Sequence, residues 1–259
     1  MRRGRYKGRD LNGWLVMHKP VNMTSAQAVA VVKRLTQAAK VGHGGTLDPF
    51  SEGLLPMALG RATKKLGLIL DGDKSYRCWI QFGAETDSGD PTGQVTAQTG
   101  QVPDRAVLEV ALTRFVGVQE QVPPVHSAIH VGGVRAYELA RRGEVVEMPA
   151  RTVVIHALEL EAYEEGVAQV QVRCGKGTYM RALARDLGRY LGTLAHLQRL
   201  LRTGTLGFSL EEGITLDRLS RAVAQNGLEE LLLPVDRVLD DIPAPRLSGS
   251  VESFSPCSH

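Results

Sequence analysis

The chain is most distinctive at residues 41–56, which read VGHGGTLDPFSEGLLP. Glycine occupies positions 42, 44, 45 and 53, and proline occupies positions 49 and 56. This composition predicts a long shaped loop instead of a regular element, because glycine and proline interrupt helices and strands. Asp48 before Pro49 is by itself compatible with a turn. The fold class therefore has to be inferred from the helices and strands predicted on either side of the loop.

Regular elements are predicted on both sides of the loop. Residues 13–19 indicate a short buried strand that ends at Pro20. Thr24 or Ser25 can cap a helix whose apolar face carries Ala28, Val29, Val32 and Leu35. Further strands are expected over 75–83, 119–131 (an edge strand), 152–163 and 167–174, with a turn over 87–93. Further helices are expected over 60–70, 104–115, 136–142, 179–191, 215–225 and 228–232.

The order of these elements favours an α+β fold. Helices and strands mix without a strict strand–helix–strand rhythm, so we expect a mixed, mainly antiparallel central sheet flanked by helices. The chain divides into a basic arm over 1–10, a folded domain over 11–240 and a tail rich in proline and serine over 241–259.

Composition excludes several classes of protein. The 259 residues are 43% hydrophobic, which excludes wholesale disorder. The net charge of +3, from 31 Lys and Arg against 28 Asp and Glu, is too small to indicate a nucleic-acid partner by itself. The three cysteines form no CxxC pair, and no run of about 18 apolar residues exists. We therefore expect a cytoplasmic protein without a disulfide framework or a membrane span.

The sequence contains no complete cofactor-binding or metal-binding motif. The glycines at 42 and 44 lack the third glycine of a dinucleotide fingerprint, since Leu47 stands in its place. GKGT at 175–178 lacks the upstream glycine of a nucleotide phosphate loop and has Gly177 where Ser or Thr is needed. His126 and His130 lie in a proline-preceded β-like stretch, where a four-residue gap does not make a chelate. We predict no cofactor and no metal.

Five ordered motifs remain, and together they resemble the TruB family of tRNA pseudouridine synthases. The match covers about residues 11–237. The motifs are Lys19-Pro20 with Thr24-Ser25 and the 42–56 stretch; Lys74-Ser75-Tyr76; Pro123-Pro124, Ser127-Ala128, Tyr137 and Ala140-Arg141; Lys176 to Arg181 with Asp186-Leu187-Gly188; and Ala195-His196-Leu197 with Leu200 to Thr203.

The resemblance implies a pseudouridine synthase fold and the isomerisation of uridine to pseudouridine at position 55, in the T-loop of tRNA. The N1–C1′ bond breaks and C5 bonds to C1′, so no electron, phosphate or water is consumed and no cofactor is needed. Asp48 is the expected nucleophile. Arg181 is its expected ion-pair partner, because burial beside a substrate disfavours the charged carboxylate. Tyr76 is expected to stack on the uracil and to accept a proton.

The resemblance also implies residues that bind the RNA. A uridine stacked in a folded loop must be flipped out, at a cost of a few kcal/mol. His43 is expected to assist the flip, Tyr179 and Leu200 to form pocket walls, and residues 122–151 to be an insertion that closes over the RNA. Candidate backbone contacts are the amides of Gly44 and Gly45 and the side chains of Lys19, Arg61, Lys64, Lys65, Arg141, Arg142, Arg199 and Arg202.

The chain departs from the family pattern at a few points. His18 and Asn22 replace a usual Asp and Gly, and His130 replaces a usual lysine in the insertion. Many bacterial members continue into a small RNA-binding domain, for which the tail over 241–259 is too short, so that domain is expected to be truncated or absent.

Two rival functions stay open from the sequence. A tRNA-binding folding chaperone would not need catalysis, although a pure binder has no need of a buried carboxylate beside a polyanion. An RNA-guided relative would modify other RNA with protein partners, but long Lys-rich tails are missing. We expect a monomer that binds the T-arm of tRNA without an obligate protein partner. The sequence does not choose between attack on C6, attack on C1′ and a glycal route.

Overall fold

The computed structural model describes residues 8–127 and 129–239. The predicted basic arm at Arg2, Arg3, Arg5 and Lys7 and the predicted tail over 241–259 lie outside the described residues, as do Ala128 and the side chains of Tyr137 and Arg141.

The strands form one large sheet and two small hairpins. They are β1 (Gly13–Lys19), β2 (Val41–His43), β3 (Glu52–Leu59), β4 (Lys74–Phe82), β5 (Ala84–Thr86), β6 (Val95–Gln98), β7 (Gly117–Gln121), β8 (His130–Val131), β9 (Val134–Arg135), β10 (Arg151–Glu164), β11 (Val167–Cys174), β12 (Ala195–Thr205) and β13 (Phe208–Ser209). The sheet order is β1-β3-β12-β4-β11-β10-β7, with β2 beside β3 and β13 beside β12, while β5-β6 and β8-β9 pair separately. Strands β3 and β12 run parallel and the other pairs described run antiparallel. The predicted α+β class with a mixed, mainly antiparallel sheet is confirmed.

The helices lie close to the predicted positions. They are α1 (Ser25–Thr36), α2 (Leu66–Asp71), α3 (Arg105–Arg114), α4 (Ala136–Arg141), α5 (Met180–Tyr190) and α6 (Leu216–Ala224), with 3-10 turns at Gly60–Lys65, Leu210–Glu212, Leu228–Leu231 and Arg237–Leu239. Thr24 caps α1, since its side chain accepts from the Gln27 amide while Gln27 accepts from the Thr24 amide. This reciprocal cap satisfies backbone donors that the first helical turn leaves free.

Two clusters of buried side chains fix the helices onto the sheet. Cys78, Ile80 and Phe82 of β4 pack with Leu183 and Leu187 of α5. In the second cluster, β1 and β3 pack against α1 and α6 through Leu15, Met17, Leu55, Met57, Val32 and Leu219. Fully burying one such side chain contributes about 1.5–3 kcal/mol. Tyr76 contacts both clusters, which places it where the two halves of the sheet meet.

The prediction of one loop over 41–56 is wrong at both ends. Val41–His43 and Glu52–Leu59 are strands, and only residues 44–51 lie between them. Gly53 has φ +104°, and a Cβ there would overlap the Arg202 carbonyl oxygen on β12. Glycine therefore permits the close approach of two strands here instead of breaking one. The pairing of β3 with β12 ends at Gly53, so Pro56 lies outside it.

Sequence patterns missed the central strand β12 and misplaced an edge strand. β12 lies between β3 and β4, yet its sequence AHLQRLLRTGT carries no clean alternation of apolar and polar residues. The edge strand expected over 119–131 is interrupted: Gly117–Gln121 joins the large sheet, and His130–Val131 belongs to a separate small hairpin. Pro123 and Pro124 lie between them, and prolines cannot donate to a sheet. Among the described residues no helix is long and apolar enough to cross a membrane.

Candidate active site

Short hydrogen bonds hold the loop over 44–51 around Asp48. The Ser51 hydroxyl donates to the Asp48 carbonyl over 2.7 Å, and the Asn22 amide donates to the Pro49 carbonyl over 2.7 Å. The Leu47 amide donates to the Ser25 hydroxyl over 2.9 Å at the start of α1. The backbone around Asp48 is therefore held in one shape before any ligand binds.

Lys19 supports this loop from beneath, which corrects its expected role as a substrate contact. Its side chain is fully buried, and its ammonium donates to the carbonyls of Pro20, Met23 and Ser51 over 2.9, 2.7 and 2.6 Å. Burial lowers its pKa to about 8, while the nearby Asp48 carboxylate raises it. All three donors are used, so Lys19 has none left for RNA.

Arg181 in the first turn of α5 is buried, with 5% of its side chain exposed, and it joins two carboxylates. Its Nε lies 3.0 Å from Asp48 Oδ2, and its Nη1 lies 3.4 Å from Asp90 Oδ2. The contact with Asp48 is an ion pair whose N–H does not point squarely at the oxygen. Nη1 also donates to the Ser88 carbonyl over 3.0 Å, and Nη2 donates to the His126 carbonyl over 2.8 Å.

Asp90 is a site residue that the sequence patterns did not single out. It lies in the predicted turn over 87–93, and its side chain is 6% exposed. Its Oδ1 accepts from the Ser88 hydroxyl, the Thr92 amide and the Thr92 hydroxyl over 2.8, 3.0 and 2.5 Å. The sequence signal was a turn composition, and such a composition does not show that the carboxylate faces a remote arginine.

Burial and three charged neighbours act on the ionisation of Asp48. Burial raises its pKa, the Arg181 guanidinium opposes that rise, the Asp90 carboxylate adds to it, and the Lys19 ammonium lowers the pKa by a smaller amount. The side chain keeps 35% of its surface exposed, so a ligand can still reach the carboxylate. Arg181 thus favours the charged form in surroundings that otherwise favour the neutral acid.

Asp48 and Arg181 lie on the wall of a cavity of about 270 Å³. The expected pocket residues Tyr76, Tyr179 and Leu200 line the same cavity. Its other lining residues are Gly45, Thr46, Leu47, Leu70, Lys74, Ser127, Gly175, Gly177, Thr178, Met180 and Arg202. A second cavity shares Asp48, Ser127 and Arg181 with the first. An acid, an aromatic ring and apolar walls therefore meet in one place.

Tyr76 contributes a neutral ring to the cavity. Burial raises the pKa of its phenol to about 12, against the smaller opposing effect of Arg202. Arg202 was expected to contact RNA, and the structure corrects this prediction. Its side chain is 1% exposed, and it donates to the carbonyls of Leu54 and Gly45 over 2.7 and 3.2 Å. Arg202 therefore holds β12 to the loop that carries Asp48.

His43 and the exposed basic residues lie away from the cavity wall. His43 ends β2 partly buried, and burial lowers its pKa, so its ring is neutral at pH 7. Arg61 and Lys64 are exposed on the Gly60–Lys65 turn. Three further basic residues that were expected to contact RNA instead lie near acidic side chains. Lys65 is 2.6 Å from Asp236, Arg199 is 2.7 Å from Glu52, and Arg142 is 3.9 Å from Glu144. Arg199 also lies 4.4 Å from the Trp79 ring centroid.

The predicted insertion over 122–151 is attached to α5 at its beginning. The Gln121 side chain donates to the Tyr179 carbonyl over 3.1 Å and accepts from the Tyr179 amide over 2.7 Å. Arg185 donates to the Val122 carbonyl over 2.8 Å. Together with the Arg181 bond to His126, these contacts join the insertion to the helix that carries the site arginine. Among the described residues there is no group of three His, Cys, Asp or Glu side chains that could hold a metal.

Comparison with known proteins decides the family. The model of the TruB family pseudouridylate synthase N-terminal domain matches residues 33–180, and that of the tRNA pseudouridylate synthase B C-terminal domain matches residues 181–240. The chain belongs to the TruB family. TruB proteins are pseudouridine synthases, and pseudouridine synthases are isomerases.

Curated TruB relatives match most of the chain. The tRNA pseudouridine synthase B of Bradyrhizobium diazoefficiens is 50% identical over 242 residues, which cover 91% of this chain and 70% of the relative. That of Caulobacter vibrioides is 44% identical over 241 residues, which cover 93% of this chain and 78% of the relative.

Solved structures have a similar fold. A chain of a Cbf5-Nop10-Gar1 complex is 26% identical with a TM-score of 0.71, and the match covers 89% of this chain. This TruB protein spans 62% of that matched chain, or about three fifths of its length. A structure of an H/ACA ribonucleoprotein bound to a substrate RNA gives a TM-score of 0.69 at 24% identity, which supports the fold alone.

Proposed function

We propose that this chain isomerises uridine to pseudouridine at position 55, in the T-loop of tRNA. The observation that carries the proposal is the Asp48–Arg181 ion pair on the wall of a cavity that Tyr76 also lines. Membership of the TruB family supports the reaction, and the names of the curated relatives support tRNA as the substrate.

Asp48 acts as the nucleophile on a flipped-out uridine. The carboxylate must be ionised to attack, and Arg181 favours that state against the burial that raises the pKa of Asp48. The reaction breaks the N1–C1′ bond, turns the uracil, joins C5 to C1′ and moves the C5 proton to N1. Attack on C6, attack on C1′ and a glycal route all begin with Asp48 beside the nucleoside.

Tyr76, Tyr179 and Leu200 hold the uracil. One stack of a base on an aromatic ring contributes about 1–3 kcal/mol, which offsets part of the cost of flipping the nucleotide out. Because the pKa of Tyr76 is about 12, its hydroxyl is protonated at neutral pH. This favours stacking as the main contribution of Tyr76 over the role of proton acceptor.

Arg61 and Lys64 contact the tRNA backbone, and His43 assists the flip of the loop. Both basic residues are exposed on a turn that leads into α2, and Leu70 of α2 lines the cavity. The insertion over 122–151 closes over the T-arm. The protein acts in the cytoplasm as a monomer, without an obligate protein partner.

Incubation with an unmodified tRNA transcript tests the proposal. Pseudouridine is then mapped along the whole transcript, and we expect it at position 55. Asp48→Asn should retain tRNA binding while product falls to background. Asp217→Asn, an exposed aspartate on α6, serves as the matched control and should convert tRNA normally. Near-normal conversion by Asp48→Asn would show that the assigned nucleophile is wrong.

A further inference from the structure

Ser127 carries a buried hydroxyl that no well-aligned hydrogen bond satisfies. Its side chain is 5% exposed, and its Oγ has no hydrogen-bond partner among the described residues. A buried hydroxyl without a partner is unfavourable, so native proteins usually pair it with protein, water or ligand. Ser127 belongs to a motif for which the catalytic roles above provide no function.

The position of Ser127 separates it from the other buried polar atoms without a hydrogen-bond partner. Arg77 Nε and Arg181 Nε lie 2.6 and 3.0 Å from carboxylate oxygens, so both already face an opposite charge. His43 Nδ1 lies outside the walls of both cavities. Ser127 lines both of the cavities that Asp48 and Arg181 share. Ser127 therefore lies on the wall of the space that a bound nucleoside would occupy.

Neighbouring hydroxyls on the same wall support this assignment. The Thr178 hydroxyl donates to the Gly175 carbonyl over 2.9 Å and is therefore already used. The Ser127 hydroxyl is close to that of Tyr179: burial raises the pKa of Tyr179, and a side-chain contact with Ser127 opposes that rise. The two groups are not aligned as a full hydrogen bond, so the Ser127 hydroxyl is not satisfied on this wall.

The backbone holds Ser127 in place through the catalytic arginine. The His126 carbonyl accepts from Arg181 Nη2 over 2.8 Å, and the Ser127 amide donates to the Val125 carbonyl over 2.8 Å. The start of the insertion is thus fastened to the side chain that pairs with Asp48. This attachment keeps the Ser127 hydroxyl on the same wall as the reacting carboxylate.

We propose that Ser127 Oγ hydrogen bonds the flipped-out uridine beside Asp48 and so sets its position for attack. The inference rests on the proposed function, because it requires an RNA nucleoside in the Asp48 cavity. The uridine carries hydroxyl and carbonyl groups on both ribose and uracil, and either kind can pair with a serine hydroxyl.

The test uses the whole protein with Ser127→Ala and Ser127→Thr, which remove and retain the hydroxyl. Single-turnover conversion and tRNA affinity are measured for both variants, with Thr113→Val as a control at a remote hydroxyl that bonds only within α3. We expect Ser127→Ala to slow conversion about tenfold, the factor that one ordinary hydrogen bond is worth. Its tRNA affinity should stay within about twofold, and Ser127→Thr should remain within about threefold of the parent rate.

Each other outcome overturns the proposal. A normal rate for Ser127→Ala would show that the hydroxyl is not used. Equal slowing by both variants would show that packing, and not the hydroxyl, matters. A loss of tRNA affinity that accounts for the slow rate would assign Ser127 to the shape of the insertion. If the parent protein makes no pseudouridine, the proposed function fails instead, and this result is distinguishable from all three.

Discussion

Arg181 lies between Asp48 and Asp90, with its Nε 3.0 Å from one carboxylate and its Nη1 3.4 Å from the other. The two carboxylates compete for one guanidinium. Arg181 lowers the pKa of Asp48, whereas the charge of Asp90 raises it. Removing the charge of Arg181 and removing the charge of Asp90 should therefore shift the pKa of Asp48 in opposite directions.

Arg181→Gln should shift the acid side of the pH–rate profile to higher pH. Under the proposed function Asp48 reacts as the carboxylate, so the rate should fall as pH falls through its pKa. Burial already places that pKa above the ordinary value of 3.8. Loss of the guanidinium removes the main opposing effect and raises the pKa further. Single-turnover conversion measured across pH checks this shift.

Arg181→Lys is the control, since it keeps the positive charge near Asp48. The acid side of its pH–rate profile should stay close to that of the parent protein. Breaking a buried ion pair typically costs roughly 3–5 kcal/mol, so thermal unfolding of Arg181→Gln must show a folded protein at the assay temperature. An unmoved acid side in a folded Arg181→Gln would contradict the assignment of Asp48 as the titrating group.

Asp90→Asn should shift the acid side of the profile to lower pH. Removing the charge of Asp90 removes an effect that raises the pKa of Asp48. The asparagine oxygen can still accept from Ser88 and Thr92, which preserves the turn. The same single-turnover series checks this variant. A shift in the same direction as that of Arg181→Gln would mean that the profile reports another group.

Lys19→Met should destabilise the protein without a specific effect on RNA binding. Its ammonium satisfies three buried carbonyls, and leaving them unpaired should cost about 2–4 kcal/mol in the free energy of unfolding. Urea unfolding measures this loss. Lys64→Met is the matched control: its exposed side chain should change stability by less than about 0.5 kcal/mol. Equal stability of Lys19→Met and the parent would contradict the supporting role of Lys19.

Binding of tRNA should weaken steeply as salt rises. Each phosphate that a basic side chain neutralises releases a counterion, with a slope of about −0.7 to −0.9 in log affinity against log salt. Lys64→Met should make that slope shallower by about one. Titrations at several salt concentrations check both statements. A flat salt response of the parent protein would remove the proposed backbone contacts.

Much of the fold follows from local sequence. Thr24 or Ser25 predicted the start of α1 because a capping hydroxyl acts on amides two or three residues away, and Thr24 is the cap. The spacing of Ala28 and Val32 predicted the buried face of α1. Residues 13–19 predicted β1 through a short apolar run. The five motifs in order identified the family, and the resemblance indicated Asp48, Tyr76 and Arg181 as neighbours.

Only the tertiary structure decided which charges are buried and what they contact. Lys19, Lys64 and Arg202 are all cations in the sequence, yet two of them are buried on backbone carbonyls and one faces solvent. The sequence indicates only that Asp90 lies in a turn, whereas the structure shows that α5 places Arg181 beside it. Burial and pairing depend on segments that are remote along the chain, and residue type and spacing carry no information about that packing. For the same reason, the sequence did not predict β12, which is a strand because it pairs with β3 and β4 on either side.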